Sequence, residues 1–332
     1  MKKILIVGGG GIGERHIRCF IATKKAVVYV CEPNPSRLEQ LKQKYAVKNV
    51  YTDFRKVDLR QFDGILLATP PNYHIPMATR CAEEGIPFLL EKPLSLDFNG
   101  VDKLKSIVHR KRLPCGVAYV RRSQMSYKTL RKYALSGKIG ELKMARTNFS
   151  QDYTKYRPDY QRIYYAYENM GGGCILDAAS HIVNLIEWIL GSPKQVTAMY
   201  DKMVLRKVEC EDTVALLIRF TKNSAVADIF QNQFQKPFAA DVEIVGTKGN
   251  LLFHATKTTH TILYSNTDDS KWHVLKHFNV TADEPFIAQA NDFIAAIDGK
   301  RAFPTSLSDA ESTLRVCLAA KSSQRSGKFV NL

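Results

Sequence analysis

Along the first 120 or so residues, short unbroken apolar runs alternate with stretches of helical periodicity. Ile4-Leu5-Ile6-Val7 has the character of a strand buried on both faces. A helix is predicted from about Ile12 to Thr23, a strand over Ala26–Cys31, and a second helix capped by Asn34 with Pro35 in its first turn. The run Gly64–Thr69 reads as a strand broken by Pro70-Pro71-Asn72 and followed by a helix that closes at Gly85, with further strands at Pro87–Leu90 and Pro114–Val120. Such alternation predicts a doubly wound parallel sheet. Beyond it the pattern changes. A helix over Gln124–Ser136 stops at Gly137, an alternating strand runs to Phe149, and a strongly apolar helix spans Cys174–Leu190. Period-2 runs then recur at Asp212–Phe220, Ser224–Gln231 and Asp241–Val245, before two late helices at Phe286–Ile297 and Leu307–Ser323. The expected class is α/β at the front, followed by an α+β part on a large, mainly antiparallel open-faced sheet. One face of that sheet should be covered by the Cys174 helix, leaving the other for dimerisation.

The 332 residues suit two domains, placed at 1–122 and 123–332. The apolar segment behind Met1-Lys2-Lys3 is too short and too glycine-rich for a signal peptide, and no membrane-length run stands out, so a cytoplasmic protein is expected. Seven cysteines with no C-x-x-C pair make neither a disulfide framework nor a zinc pattern. His273 and His277 stand four apart in a segment that alternates like a strand, so no metal site is expected. The net charge of +16 would attract anions, but its Lys and Arg are spread over the whole chain, which disfavours a nucleic-acid partner.

The chemistry starts where the first strand stops. Gly8-Gly9-Gly10-Gly11-Ile12-Gly13 satisfies G-x-G-x-x-G between a strand and a helix. Gly8 would take the tight turn, Gly10 would leave room for a pyrophosphate, and Gly13 would let the helix approach; Gly11 and Ile12 would offer helix-end amides. Glu32 ends the second strand, where an acid would bind a ribose diol and repel a 2′-phosphate. The pattern predicts a Rossmann domain for NAD, with NADP disfavoured despite Arg37 nearby. Thr69, Pro70, Asn72 and His74 lie at a strand's carboxyl end, where ligands bind in such sheets; His74 also reads as a helix-start or solvent-facing residue. Glu91-Lys92-Pro93 ends the next strand, so Lys92 is either an exposed terminal lysine or a catalytic cation.

In the second half, Tyr153, Tyr156, Tyr160, Tyr164, Tyr165 and Tyr167 are interleaved with Lys155, Arg157 and Arg162. Such a segment suits a sugar, single-stranded nucleic acid or a subunit interface. Asp177 and His181 stand four apart in the apolar helix, sharing a face with Asn184 and Trp188. They read as a buried structural pair or as a working one.

The N-terminal fingerprint, Ala68-Thr69-Pro70-Pro71-Asn72-Tyr73-His74, Glu91-Lys92-Pro93, and Gly171-Gly172-Gly173 followed by Asp177 and His181, in this order, resemble the Gfo/Idh/MocA oxidoreductases. Gly137-Lys138-Ile139-Gly140 and Gly246-Thr247-Lys248-Gly249 are similar to turns of that family. The resemblance implies hydride transfer between NAD and a secondary alcohol of a sugar or cyclitol. It implies His181 as acid/base, Asp177 as an orienting group, Lys92 as the cation that stabilises the alkoxide, and a homodimer or homotetramer built through the C-terminal sheet. Glu91 joins the cofactor set. Tyr119, Arg121, Tyr153, Arg157 and Asn184 become candidates for reading a substrate, and the cations among them lean toward an anionic sugar. Asn184 stands where many relatives carry an acid, and Lys92-Pro93 is expected to be cis, from the resemblance as much as from sterics. A non-catalytic NAD-binding regulator of the same fold and an NAD-dependent glycosidase acting by transient oxidation are the rival readings.

Overall fold

The computed structural model describes residues 1–266 and 271–332 and divides into two compact units. The first comprises 1–124 and 283–310, the second 125–282 and 311–332.

In the first unit the strands are β1 (Lys2–Val7), β2 (Ala26–Cys31), β3 (Val50–Tyr51), β4 (Gly64–Leu67), β5 (Phe88–Leu90) and β6 (Cys115–Val117). The helices between them are α1 (Gly11–Ala22), α2 (Pro35–Lys44), α3 (His74–Glu83) and α4 (Val101–Lys111). All pairings are parallel, in the order β3-β2-β1-β4-β5-β6. The unbroken apolar runs are explained by their burial: Ile4, Leu5 and Ile6 of β1 and Ile65, Leu66 and Leu67 of β4 are fully enclosed. The strand order reverses direction between β1 and β4, the switch point at which a ligand crevice forms in such sheets. The expected Asn34 cap is present, with its side chain accepting from the Arg37 amide.

In the second unit, α5 (Met125–Ala134) leads into β7 (Leu142–Asn148), the one-turn α6 (Tyr153–Tyr156), α7 (Ser180–Leu190) and strands β8 (Pro193–Asp201), β9 (Thr213–Phe220), β10 (Val226–Asn232), β11 (Asp241–Gly246), β12 (Gly249–Ala255), β13 (Thr259–Asn266) and β14 (His273–Asn279). With β15 (Val330–Asn331) they make a nine-stranded sheet, ordered β14-β13-β12-β11-β7-β10-β9-β8-β15. All pairings are antiparallel except β7 with β10, as a mainly antiparallel sheet requires. His273 and His277 both lie on β14. Of the two late helices, α8 (Glu284–Ile297) belongs to the first unit, and α9 (Leu307–Ser326) supplies Leu314, Val316, Cys317 and Ala320 to the core beneath the large sheet.

Two expectations are corrected here. The apolar helix does not run uniformly from Cys174: residues Cys174–Ala179 form a π-helical turn and α7 begins only at Ser180. Glycine at 173 has φ +91°, and a Cβ there would lie 2.7 Å from the Glu211 carboxylate, so the wide turn starts on a position that only glycine fills. Secondly, Glu168–Leu190 is long and apolar enough to cross a membrane, contrary to the absence read from the sequence. Its window is 78% buried inside the protein, because Ile182, Val183, Leu185 and Ile186 pack against the sheet.

The tyrosine segment also resolves into packing. Tyr153, Tyr160 and Tyr165 form a small core with Leu205 and Val208 of the β8–β9 connection. That connection is held by the fully buried Asp212 carboxylate, which accepts from the amides of Met203 (3.0 Å), Val204 (2.8 Å) and Leu205 (2.7 Å) and from the Thr213 hydroxyl (2.9 Å). Asp212→Ala would strand those donors, and urea denaturation should show a loss of about 3 kcal/mol. A loss below about 0.5 kcal/mol would mean that the connection does not depend on this carboxylate.

Candidate functional site

In the first unit the glycine turn is built by close approach. Gly8 has φ +97°, and a Cβ on it would lie 2.4 Å from the Ala68 carbonyl oxygen. A Cβ on Gly13 would lie 1.9 Å from the Gly8 oxygen, so α1 is pressed directly onto the turn. At Gly10 nothing lies within 4 Å of the Cβ position, and this residue caps α1 with no side-chain bond. Gly10 and Gly11 are exposed, leaving an uncovered cradle of helix-end amides of the kind a pyrophosphate occupies.

Glu32 stands beside it. One carboxylate oxygen accepts from the Gly9 amide (2.6 Å) and the other from the Asn34 amide (2.9 Å), which fixes its orientation and leaves acceptor capacity for ribose hydroxyls. Arg37, the cation that could welcome a 2′-phosphate, is engaged elsewhere: its Nε donates to the Gly9 oxygen (2.7 Å) and its Nη2 pairs with Glu14. Lys44, Arg37 and Tyr45 together pull the Glu14 carboxyl down to about 2, so that brace stays ionised across the physiological range. The donor set fits NAD.

At the ends of β4 and β5 the side chains bind one another. Thr69 and Pro70 are half-buried, with the Thr69 hydroxyl 3.7 Å from the Met77 sulfur, and Asn72 is exposed. His74 is fully buried, one ring nitrogen 2.8 Å from the Pro93 oxygen and the other 2.9 Å from the Thr69 oxygen. It therefore pins the loop after β4 to the loop after β5. Glu91 is buried as well and accepts from His16 Nε2 (2.6 Å) and from the Lys92 amide (3.1 Å). Lys92–Pro93 is a cis bond, and Lys92 is half-buried. His16, which packs edge-on against Phe286, is a contributor the sequence reading missed. Its signal was its place on α1, three residues past Gly13. Tyr119 is buried in the apolar core with 2% exposure, while Arg121 is half-buried in the 3-10 turn Val120–Ser123. The adjacent Arg122 is buried and pairs with Asp309 at 3.0 Å.

In the second unit, the π turn carries Asp177 and the first turn of α7 carries His181, both half-buried. Two phenols hold Asp177: Tyr164 donates to Oδ1 and Tyr153 to Oδ2 at 3.3 Å. Burial, reinforced by the Asp177 charge, pushes both phenols above their usual range, so they remain donors. The start of the turn is fastened by Glu211, whose carbonyl accepts from the Cys174 amide (2.9 Å) and whose carboxylate accepts from the Ile175 amide (2.9 Å). Burial raises the Glu211 pKa against the pull of Lys321, 3.8 Å away. Arg157 caps α6, its guanidinium 5.7 Å from the Tyr156 ring centre. Asn184 is buried and donates to Thr313 Oγ1 on α9 (3.0 Å), which in turn donates to Glu187. The structure thus joins Asp177 to Tyr153 and Tyr164, and ties Asn184 into the contact between α7 and α9.

Burial, outweighing the two carbonyls beside it, holds His74 below the ordinary imidazole pKa. The unfolded chain then binds the proton more readily, so His74 should cost stability as pH falls below about 6.5. Chemical denaturation at pH 7.5 and 5.5 checks this: the drop seen in the wild type should shrink in His74→Gln, and an unchanged drop would refute it.

Residues 2–119 match the family profile described as "Oxidoreductase family, NAD-binding Rossmann fold", and residues 127–252 match the "GFO/IDH/MocA C-terminal domain". The chain is 24% identical to the myo-inositol 2-dehydrogenase of Thermotoga maritima, covering 99% of this chain and 98% of that enzyme. It is 22% identical to the scyllo-inositol 2-dehydrogenase (NAD(+)) of Bacillus subtilis, covering 99% and 96%. Among solved structures, a levoglucosan dehydrogenase in complex with NADH and levoglucosan superposes with a TM-score of 0.89 at 22% identity, covering 99% of both chains. At that identity the last comparison establishes a shared fold.

Proposed function

We propose that this chain, which belongs to the GFO/IDH/MocA oxidoreductase family and carries its NAD-binding Rossmann domain, interconverts a secondary alcohol and a ketone on a sugar or cyclitol. The observation that carries this reading is the coexistence of an open glycine cradle beside an oriented Glu32 with a tyrosine-held Asp177 one turn from His181. Sugar and cyclitol dehydrogenases among the relatives support the substrate class.

NAD, when bound, supplies the redox chemistry of its nicotinamide. The Gly8–Gly13 turn and the start of α1 would hold its pyrophosphate, and Glu32 its ribose diol. His181 takes the hydroxyl proton of the alcohol, a task suited to an imidazole that titrates near neutrality, and returns it in the reverse direction. Lys92 stabilises the charge that develops on that oxygen. Its backbone is fixed by the buried Glu91 carboxylate, so the ammonium is presented from an ordered loop end. Asp177, with both oxygens engaged by phenols, gives the proton-transfer side a fixed negative group.

Lys92→Ala and His181→Ala should each lower kcat on an inositol and pyranose panel by about 100-fold or more, while NAD affinity by calorimetry stays within about threefold. A wild-type protein that binds NAD but turns over no member of a broad panel would favour a regulator instead.

The open face of the large sheet presents Met199, Leu217 and Phe230, which are 77%, 49% and 56% exposed, and we assign it to pairing with a second copy of the chain. Phe230→Arg combined with Leu217→Arg should convert a dimer or tetramer to a smaller species in sedimentation velocity. A monomeric wild type would refute the assignment.

A further inference from the structure

We propose that the substrate carries a carboxylate, and that Arg157 reads it. This rests on the reading of Asp177 and His181 as the place of proton transfer, and it adds the substrate's charge.

Buried and half-buried arginines in this protein are engaged: Arg18 by Asp283, Arg37 by Glu14, Arg80 by Glu84 and backbone carbonyls, Arg122 by Asp309. Arg157 differs. It is half-buried at the end of α6, its amide donates to the Tyr153 oxygen (2.7 Å), and its guanidinium lies over the Tyr156 ring. Among the described residues no carboxylate comes within ion-pair distance of it and no acceptor takes its side-chain N–H groups. A guanidinium has five donors and no acceptor, so partial burial without a partner is unfavourable until an anion arrives.

Its place on the chain gives that anion a location. Arg157 follows directly on the turn that carries Tyr153, and Tyr153 and Tyr164 are the phenols that grip Asp177. Burial opposes the charge on this guanidinium, but the nearby Asp177 carboxylate helps to hold it above its ordinary pKa, so it stays a cation. Asp177 accepts from the Tyr164 and Tyr153 phenols, one on each oxygen. The fork geometry of the guanidinium matches a planar two-oxygen anion, which it binds bidentately. A phosphate would bring a charge near −2 next to Asp177 with a single guanidinium to balance it. A carboxylate, with charge −1, is matched one to one by the guanidinium and adds about one negative charge less beside Asp177 than a phosphate does. The Tyr156 ring, 5.7 Å from the guanidinium carbon, adds a cation–π contact on one side of the fork.

The test uses sets of pyranosides that differ only at C6 as hydroxymethyl, carboxylate or phosphate, across the gluco, galacto and manno series, with NADH formation as the readout. The carboxylates should show kcat/KM at least about tenfold above their neutral partners. Arg157→Met should lower the carboxylate-to-neutral ratio by about tenfold, chiefly through KM, and Arg157→Lys should restore part of it, since a point charge replaces the fork. A wild type that prefers the neutral or phosphorylated members, or an Arg157→Met variant that leaves the ratio unchanged, would overturn the proposal while leaving the dehydrogenase reading standing. No turnover of any member by the wild type would instead sink the reading of Asp177 and His181, and this inference with it. Melting curves and NAD affinity of both variants, compared with the wild type, separate these outcomes from misfolding.

Discussion

A carboxylate taken out of water must be given donors, and in this protein those donors are the groups whose placement matters. Glu91 is buried at the end of β5, where His16 and the amide of Lys92 satisfy it, so the need of one acid fixes the loop that presents the lysine. Glu32 does the same for the glycine turn through the Gly9 amide. In the second unit Asp212 gathers three consecutive amides, Glu211 fastens the first amides of the π turn, and Asp177 is held by two phenols. Removing Asp212 would leave three amides and a hydroxyl without their acceptor at once, which is more disruptive than the loss of one contact.

The same economy explains the π turn. A regular α-helix from Cys174 would satisfy its own amides except the first few. Here those first amides go to Glu211, on the segment that leads into β9, and a wider turn carries Asp177 to its tyrosines before α7 resumes regular geometry at Ser180. Insertions of this kind inside apolar helices recur at functional sites, where a side chain has to be re-aimed without moving the packed remainder. The rest of α7 stays buried against the sheet, and Asn184 and Glu187 are tied through Thr313 to α9, which anchors the turn's far end.

Cofactor selectivity follows from a similar contest between partners. A guanidinium close to the ribose acid is commonly the group that admits a 2′-phosphate. In this chain Glu14 and the Gly9 carbonyl take Arg37 first, and Lys44 and Tyr45 join them on Glu14. The cation is thereby converted from a ligand group into a brace between α1 and α2.

By itself the sequence determined the strand–helix alternation of the first unit's opening stretch, because strands buried on both faces, a glycine turn and helical periodicity are local signals, whereas α8 joins that unit from residues 284–297 only through tertiary contacts. It also marked Gly8, Gly10, Gly13 and Glu32 through their spacing, while Lys92, Asp177 and His181 stood out through the family resemblance, spacing alone leaving a structural reading beside the functional one. What it could not carry was partnership. His74 offered an exposed reading and a ligand reading, and only the folded chain encloses it between the Thr69 and Pro93 carbonyls. Six tyrosines in a row looked alike, and packing against Leu205 and Val208 sorted Tyr153, Tyr160 and Tyr165 into a core while Tyr156 stayed exposed. His16 and Glu91 are 75 positions apart, and Glu211 fastens the π turn at Ile175 from 36 positions further along the chain. Hydrogen bonds of that reach are decided by tertiary structure, since periodicity records which face of an element is buried and says nothing of what is buried against it.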